Sequence, residues 1–126
     1  ILGGPSMSGL QAYYAEQFGV PNAPVMDSRV KGMSAAFGNS PEHKYPIAAL
    51  PLNGKNLIEA DEMPPQAAAR PTPAGSLPAG IAIVSFLSNA PGDAGSVANE
   101  PPYRGAQSVN CAIGPAGELI EIVHHS

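Results

Sequence analysis

The three histidines are the first side chains of this sequence that could bind a metal ion or transfer a proton. His43 lies between Glu42 and Lys44 in a polar stretch, which is typical of a solvated loop. His124 and His125 are adjacent near the end of the chain, in a segment whose pattern predicts a strand. Successive side chains of a strand point to opposite faces, whereas two ligands of one metal ion need i, i+2 spacing on a strand or i, i+4 spacing on a helix. The histidines therefore predict no metal site.

The carboxylates form one cluster, Glu59-Ala60-Asp61-Glu62. Paired carboxylates can perform general acid–base catalysis, or they can bind Ca²⁺ through their oxygens. This cluster lacks the glycine-bearing loop of alternating oxygen ligands that an EF-hand requires. We expect these side chains to lie in a solvated loop, where they could also be a charged contact point.

Cys111 is the only cysteine of the chain, so no intrachain disulfide can form. It would be a nucleophile if a histidine and an acid approached it. Cys111 alternates with Val109 and Ile113 in a predicted strand, however, and this pattern favours a buried structural thiol.

Serine and glycine motifs give no stronger indication of catalysis. Ser6 and Ser8 depart from the G-x-S-x-G pattern of a nucleophile elbow, and the sequence has no phosphate-binding glycine motif. We therefore predict a non-enzymatic protein with no catalytic residue, cofactor or metal ion. One alternative remains open, which is an active site completed between chains with Cys111, His124 or His125.

The composition excludes several classes of protein. The chain has 126 residues, enough for one domain, with a net charge of −4 and only six lysines and arginines, which are scattered singly. Nucleic-acid binding needs clustered cations, so we expect none. No apolar run reaches the roughly 18 residues of a membrane helix. The 14 glycines and 15 prolines favour turns and short strands over a helical bundle.

Two short helices are predicted near the N-terminus. Residues 8–19 could be capped by Ser6 or Ser8 and terminated by Gly19, and a second helix is expected over residues 27–37. The first helix places aromatic and aliphatic side chains on one face: Leu10, Tyr13, Tyr14 and Phe18. Such a stripe packs on its own domain or docks on another protein, and both alternatives remain open.

Three strand regions follow. Residues 47–60 predict a hairpin with a type I′ turn at Asn53-Gly54, and Pro51 should place its strand at an edge or contain a bulge. Residues 81–87 are apolar at every alternation, which predicts the core strand, covered on both sides. Residues 108–125 predict a terminal hairpin around a Gly-Pro-Ala-Gly turn.

Two long segments rich in proline and glycine separate these strands, residues 61–80 and 89–106. We expect them to be extended arms or loops. The fold class predicted is mainly β, sandwich or jelly-roll-like, with one or two N-terminal helices, and the alternative is α+β. We expect one domain over residues 1–126, with a helical arm at about 1–38 and a β region at about 46–126.

Low charge, extended proline-rich segments and the lack of a catalytic set favour a structural protein that assembles with copies of itself and with a larger protein lattice. A virion decoration or cement protein is the example that fits, so a virion location is expected, or otherwise a soluble protein. Proline-rich arms suit this role because their backbone is largely pre-set before binding. The residues predicted for the interface are Tyr13, Tyr14, Phe18, Pro64, Pro65, Arg70, Pro71, Tyr103 and Arg104.

The alternative function is a small-molecule or peptide-binding accessory domain. The chain begins Ile1-Leu2-Gly3-Gly4 without an initiator methionine, which would suit processing from a larger precursor. A sizeable apolar pocket with convergent polar groups would favour this alternative. A flat, apolar, self-complementary surface would favour assembly.

Overall fold

A computed structural model of the protein describes residues 1–88 and 103–125. The structure is mainly β, with 38% strand and 17% helix, and this confirms the predicted fold class. The chain divides into two compact units, Ile1–Ala69 and Arg70–Ser126, called here the N-terminal and the C-terminal unit. Neither helix within the described ranges is long and apolar enough to cross a membrane.

The N-terminal unit contains a four-stranded mixed sheet. Its elements in chain order are β1 (Leu2–Gly4), α1 (Met7–Phe18), β2 (Met26–Arg29), α2 (Lys31–Phe37), β3 (Lys44–Pro51) and β4 (Leu57–Glu62). The strand order is β1-β4-β3-β2, in which β1 runs parallel to β4 and the other neighbours are antiparallel. The predicted division between a helical arm and a β region does not follow the boundary of the units, since both helices belong to the same unit as β3 and β4.

Helix α1 forms where its capping residues predict it. The Ser6 side chain accepts a hydrogen bond from the Gly9 N–H at 3.2 Å, and Gly19 ends the helix with a left-handed φ of 65°. Leu10 and Tyr14 face inward, and Leu10 packs so closely on Gly4 that a β-carbon there would lie 2.8 Å from it. The first predicted helix is therefore confirmed, and its apolar face covers the sheet.

Helix α2 begins later than predicted. Residues 26–29 form β2 instead, because their backbone pairs with Lys44–Ile47 of β3. Local propensity does not distinguish a helix from a strand for such residues, so the available pairing with β3 decides that they form a strand. On the sheet face opposite α1, the buried Tyr45 hydroxyl lies 3.2 Å from Ser34 Oγ of α2 and accepts a hydrogen bond from Asn39 Nδ2 at 3.0 Å.

The hairpin of β3 and β4 is confirmed, but its turn is not type I′. Pro51 pairs with Leu57, which leaves a loop of residues 52–56, and only Gly54 in it has a positive φ. A type I′ turn needs two positive φ angles, and Asn53 does not supply one. Strand β3 lies inside the sheet, yet Pro51 has only β4 beside it because the pairing with β2 stops at Ile47.

The C-terminal unit contains a three-stranded sheet made of β5 (Ile83–Ser88), β6 (Ala106–Ile113) and β7 (Leu119–His125). The order is β5-β7-β6, with β5 parallel to β7 and β6 antiparallel to it. The terminal hairpin is therefore confirmed, with a register shift between Ala106 and Ser108. Each sheet of the described chain contains a parallel pair, so the jelly-roll form is not confirmed and the α+β description fits better.

The prediction that residues 81–87 form a core strand covered on both sides is wrong. Strand β5 is an edge strand of its sheet, and Val84 and Leu87 are exposed although they point to opposite faces. An apolar run specifies a strand but carries no information about its place in the sheet.

The two long segments have different outcomes. Residues 63–80 contain no helix or strand, which confirms a loop there, whereas residues 61 and 62 belong to β4. The predicted strand begins later than expected, at Ile83. Of the second predicted loop, residues 89–102 lie outside the described residues.

Candidate functional site

The histidine and cysteine side chains do not meet at one site. In the described part of the chain, no three histidine, cysteine or acidic side chains are placed to hold a metal ion. His124 is buried opposite Ser88 and Ser108, while His125 points to the other face, as predicted. Cys111 is exposed, so the prediction of a buried thiol is wrong. Cys111 lies on β6, the second edge strand of the sheet. The alternating pattern of β6 suggests a buried face, but this face is not buried at Cys111.

His124 lies in a small polar cluster with Ser108 and Asn110. The Asn110 amide nitrogen is 3.5 Å from Nε2 of His124, while Ser108 Oγ and Asn110 Oδ1 are buried with no hydrogen-bond partner within the described chain. A serine nucleophile needs a base that a third group orients, usually a carboxylate. Asn110 is a neutral amide, so it cannot act as that carboxylate.

The acidic cluster is wrongly predicted as a solvated loop. Asp61 lies on β4 with only 5% of its surface exposed, and its Oδ1 has no hydrogen-bond partner in the described residues. Burial raises the pKa of Asp61, and the negative charge of Glu59 raises it further. Glu62 points to the opposite face, where its Oε2 accepts the Met7 N–H at 2.7 Å and so stabilises the start of α1. The cluster is thus part of the fold of its unit.

A groove of about 600 Å³ runs beside α1 and opens to solvent. It is lined by Met7, Ser8, Gln11, Ala12, Asn22, Ala23, Val25, Pro46 and Glu62. Two of its polar groups are already used within the unit, because Gln11 Oε1 accepts the Ala23 N–H and Glu62 Oε2 accepts the Met7 N–H, each at 2.7 Å. Ligand pockets depend on polar groups that are available for the ligand.

The aromatic stripe of α1 packs largely against itself and its own unit. The ring of Tyr13 lies edge-on to Tyr14 and Phe18, with centroids 5.6 and 5.9 Å apart, and Tyr14 is buried. This geometry is the self-packing alternative that the sequence left open. An interface role for the partly exposed Tyr13 and Phe18 stays a prediction.

The remaining predicted interface residues lie in separate places. Pro64 is buried, whereas Pro65 and Pro71 are exposed. The exposed Arg70 donates a hydrogen bond to the Ala79 carbonyl, so its guanidinium folds back on its own loop. Arg104 is exposed in the turn before β6.

Tyr103 is the predicted interface residue that reaches the C-terminal sheet. Its hydroxyl donates to Oε1 of Glu121 at 2.6 Å, and Ser85 Oγ donates to the same oxygen at 2.6 Å. These hydrogen bonds, first from Ser85 and then from Tyr103, lower the pKa of Glu121. The three side chains form a polar centre on a sheet face that is otherwise mainly apolar.

That face, called here the Ile83 face, exposes large aliphatic side chains. Paired residues share a face, so Ile83 of β5, Leu119 of β7 and Ile113 of β6 form one row across the three strands. The second row contains Ser85, Glu121 and Cys111, and the third contains Leu87, Val123 and Val109. Leu87 is 77% exposed and Ile113 is 68% exposed. Val123 and Val109 of the third row are buried, so the exposed aliphatic side chains of this face lie on its two edge strands. Exposed aliphatic groups that cluster on a surface can mark an interaction site.

Among residues 1–88 and 103–125, no strand pairs with the outer edge of β5. Ile83 and Val84 are 43% and 44% exposed, and Ile81 just before the strand is 80% exposed. Residues 81–88 contain no charge and no proline, and the described pairing of β5 shows no bulge. Edge strands that stay unpaired usually carry a charge, a proline or a bulge. By contrast, the edge strand β2 carries Asp27 and Arg29.

The sequence did not predict the residues of β5 as a functional surface. A run of apolar side chains on both faces is the pattern of a strand covered on both sides. In the structure, four of the six residues of β5 are exposed. The signal available in the sequence was the lack of any charged residue or proline between 81 and 88.

Comparisons with known proteins add no relationship to these observations. No protein-family model matches the chain, and no curated protein matches its sequence. The chain's own surfaces are therefore what point to a function.

Proposed function

We propose that this protein is a non-enzymatic assembly subunit, which associates with copies of itself through the C-terminal sheet and joins a larger protein lattice, of which the shell of a virion is the example. One observation carries the proposal. The Ile83 face and the β5 edge together expose aliphatic side chains and a strand edge that carries no charge.

Association needs several exposed apolar side chains, because the burial of one contributes less free energy than association costs. Complete burial of one large aliphatic side chain contributes about 1.5–3 kcal/mol. Association of two proteins costs about 4–15 kcal/mol in lost translational and rotational freedom. A single exposed leucine therefore cannot drive association, but the exposed side chains of β5, doubled across two copies, reach the required range. Backbone hydrogen bonds of the strand edge would add to this.

The proposal predicts self-association that salt does not weaken. Sedimentation velocity over a range of protein concentrations should show an oligomer, and its mass should be unchanged at high salt because no ion pair is involved. Negative-stain electron microscopy of the concentrated protein would show whether the oligomers extend into a lattice. A protein that remains monomeric throughout the micromolar range contradicts the proposal.

Contacts with a larger lattice would use a second surface. The segment 63–82 has exposed prolines, including Pro65 and Pro71, and contains no helix or strand. Its prolines fix much of the backbone before binding, which lowers the entropy lost on contact with a neighbour. Protection of this segment from proteases in the assembled form, but not in the free subunit, is the result expected.

The groove beside α1 favours a second candidate function, the binding of a small molecule or peptide. Its volume lies within the range of ligand pockets. The internal hydrogen bonds of Gln11 and Glu62 make it the weaker candidate, because those two acceptors are already occupied. A fragment screen by NMR, with shifts confined to Met7, Ala12 and Val25, would favour this function over assembly.

A further inference from the structure

Strand β5 has a sequence pattern that is symmetric about its third residue. Ile83 and Val84 precede Ser85, and Phe86 and Leu87 follow it, so two apolar residues flank a serine on each side. We propose that β5 pairs antiparallel with β5 of a second copy, about a two-fold axis at Ser85, and that the two sheets become one six-stranded sheet. This inference rests on the proposed self-association and identifies its contact.

The symmetry fixes which residues can face one another. An antiparallel pairing of two identical edges requires a two-fold axis perpendicular to the sheet, so the Ile83 faces of both copies lie on the same side. Residues opposite each other in such a pair share a face. In the register centred on Ser85, Ile83 lies opposite Leu87 of the second copy, and Val84 lies opposite Phe86.

Neighbouring registers match less well. An axis at Phe86 would place Ser85 opposite Leu87 and Val84 opposite Ser88. An axis at Val84 would place Ile83 opposite Ser85. Both registers set the Ser85 hydroxyl against a large aliphatic side chain. The register at Ser85 sets apolar groups against apolar groups and serine against serine from Ile83 to Leu87, and outside this range Ser88 lies opposite the small Ala82. Cross-strand pairs are the unit of sheet stabilisation, so the matched register is favoured.

The polar centre of the Ile83 face is compatible with this pairing. The Ser85 hydroxyl already donates to Glu121, so its hydrogen bond is satisfied when the second copy covers it. The two Glu121 residues would lie three strand spacings apart, about 14 Å. This distance exceeds the Debye length of about 8 Å at physiological salt, so their repulsion is largely screened.

The charge pattern of the chain favours a second copy as the occupant of this edge. Because residues 81–88 carry no charge, the strand meets itself without like-charge repulsion. The other edge strand of the sheet, β6, has a register shift between Ala106 and Ser108 in its pairing with β7, and an irregular edge is the poorer template.

Leu87→Lys tests the edge, and Ile113→Lys is its matched control. Both residues are exposed leucine or isoleucine side chains on the Ile83 face of edge strands, so both variants should fold alike. Leu87→Lys should weaken self-association by roughly 100-fold in sedimentation, since each dimer loses two apolar contacts and gains two buried charges. Ile113→Lys should weaken it much less. Equal effects of the two variants would overturn the pairing of β5.

Ser85→Cys tests the register in a Cys111→Ser background, which removes the native thiol. Cysteines that face each other across the axis are within reach of a disulfide, so mild oxidation should yield a covalent dimer. Leu87→Cys in the same background is the control, because the two cysteines would be displaced by four residues, about 14 Å. Equal cross-linking at both positions, or none at Ser85, rejects the register. If the unmodified protein still sediments as an oligomer, the proposed function survives that result; if it is monomeric, both fail.

Discussion

Replacement of Asp61 by asparagine should stabilise the N-terminal unit at neutral pH. The Asp61 carboxylate is buried on β4, and its Oδ1 has no hydrogen-bond partner among the described residues. An unsatisfied buried polar group costs about 1–3 kcal/mol, and a charged one costs more. Asparagine keeps the shape and removes the charge, but its amide is still buried. We therefore expect Asp61→Asn to raise the free energy of unfolding by about 1 kcal/mol.

The stabilisation should depend on pH in a defined direction. The pKa of Asp61 in the folded state is raised above its ordinary value of 3.8 by burial first and by Glu59 second. A raised pKa favours folding when the carboxyl is protonated, so its contribution is complete below pH 3.8 and is lost as the pH rises through the folded-state pKa. The variant and the unmodified protein should therefore be about equally stable in acid and should diverge towards neutral pH.

Thermal unfolding of both proteins, measured by circular dichroism across this pH range, is the assay. For a unit of this size, 1 kcal/mol corresponds to a shift of about 4–8 °C in Tm. Glu59→Gln should give a smaller stabilisation in the same direction, because it removes the charge that repels Asp61. Asp27→Asn, at an exposed carboxylate of β2, is the control and should have no effect. An Asp61→Asn protein that is less stable than the unmodified one at neutral pH, or a difference that does not change with pH, would refute the reasoning.

Two further predictions concern packing and titration. Gly4→Ala should lower the free energy of unfolding by about 1–3 kcal/mol in urea titration, because the new β-carbon would lie 2.8 Å from the buried Leu10 side chain. The neighbouring Gly3→Ala is the control and should cost less, since its β-carbon would meet only the flexible end of a methionine. Tyr103→Phe removes one of the two hydroxyl donors to Glu121, so the pKa of this carboxyl should rise in an NMR titration. An unchanged Glu121 titration would mean that the tyrosine hydroxyl does not bond there.

Part of the candidate surface was predictable. The sequence predicts Tyr103 as an interface residue within the segment 89–106. The structure places its hydroxyl against Glu121 on the Ile83 face, and its interface role stays a prediction. The aliphatic residues of β5 were identified as a strand, but as a covered one. Burial of a strand depends on which elements pack over it, and those elements come from other parts of the chain.

Features that depend on a few neighbouring residues could be predicted from the amino-acid sequence. The Ser6 cap, the left-handed Gly19 and the terminal hairpin all follow from hydrogen bonds and backbone angles within short segments. Opposite faces for His124 and His125 follow from the two-residue period of a strand.

Features that depend on pairing between distant segments could not be predicted from local sequence. The Met7 N–H donates a hydrogen bond to Glu62, which lies 55 residues away on β4. The neighbouring residue of the same strand, Asp61, is buried. The order β5-β7-β6 leaves β5 and the strand of Cys111 at the edges of their sheet. Apolar patterning records that a segment can be buried, whereas the strand order decides whether it is, because strands of the same pattern fit equally well at the centre and at the edge of a sheet.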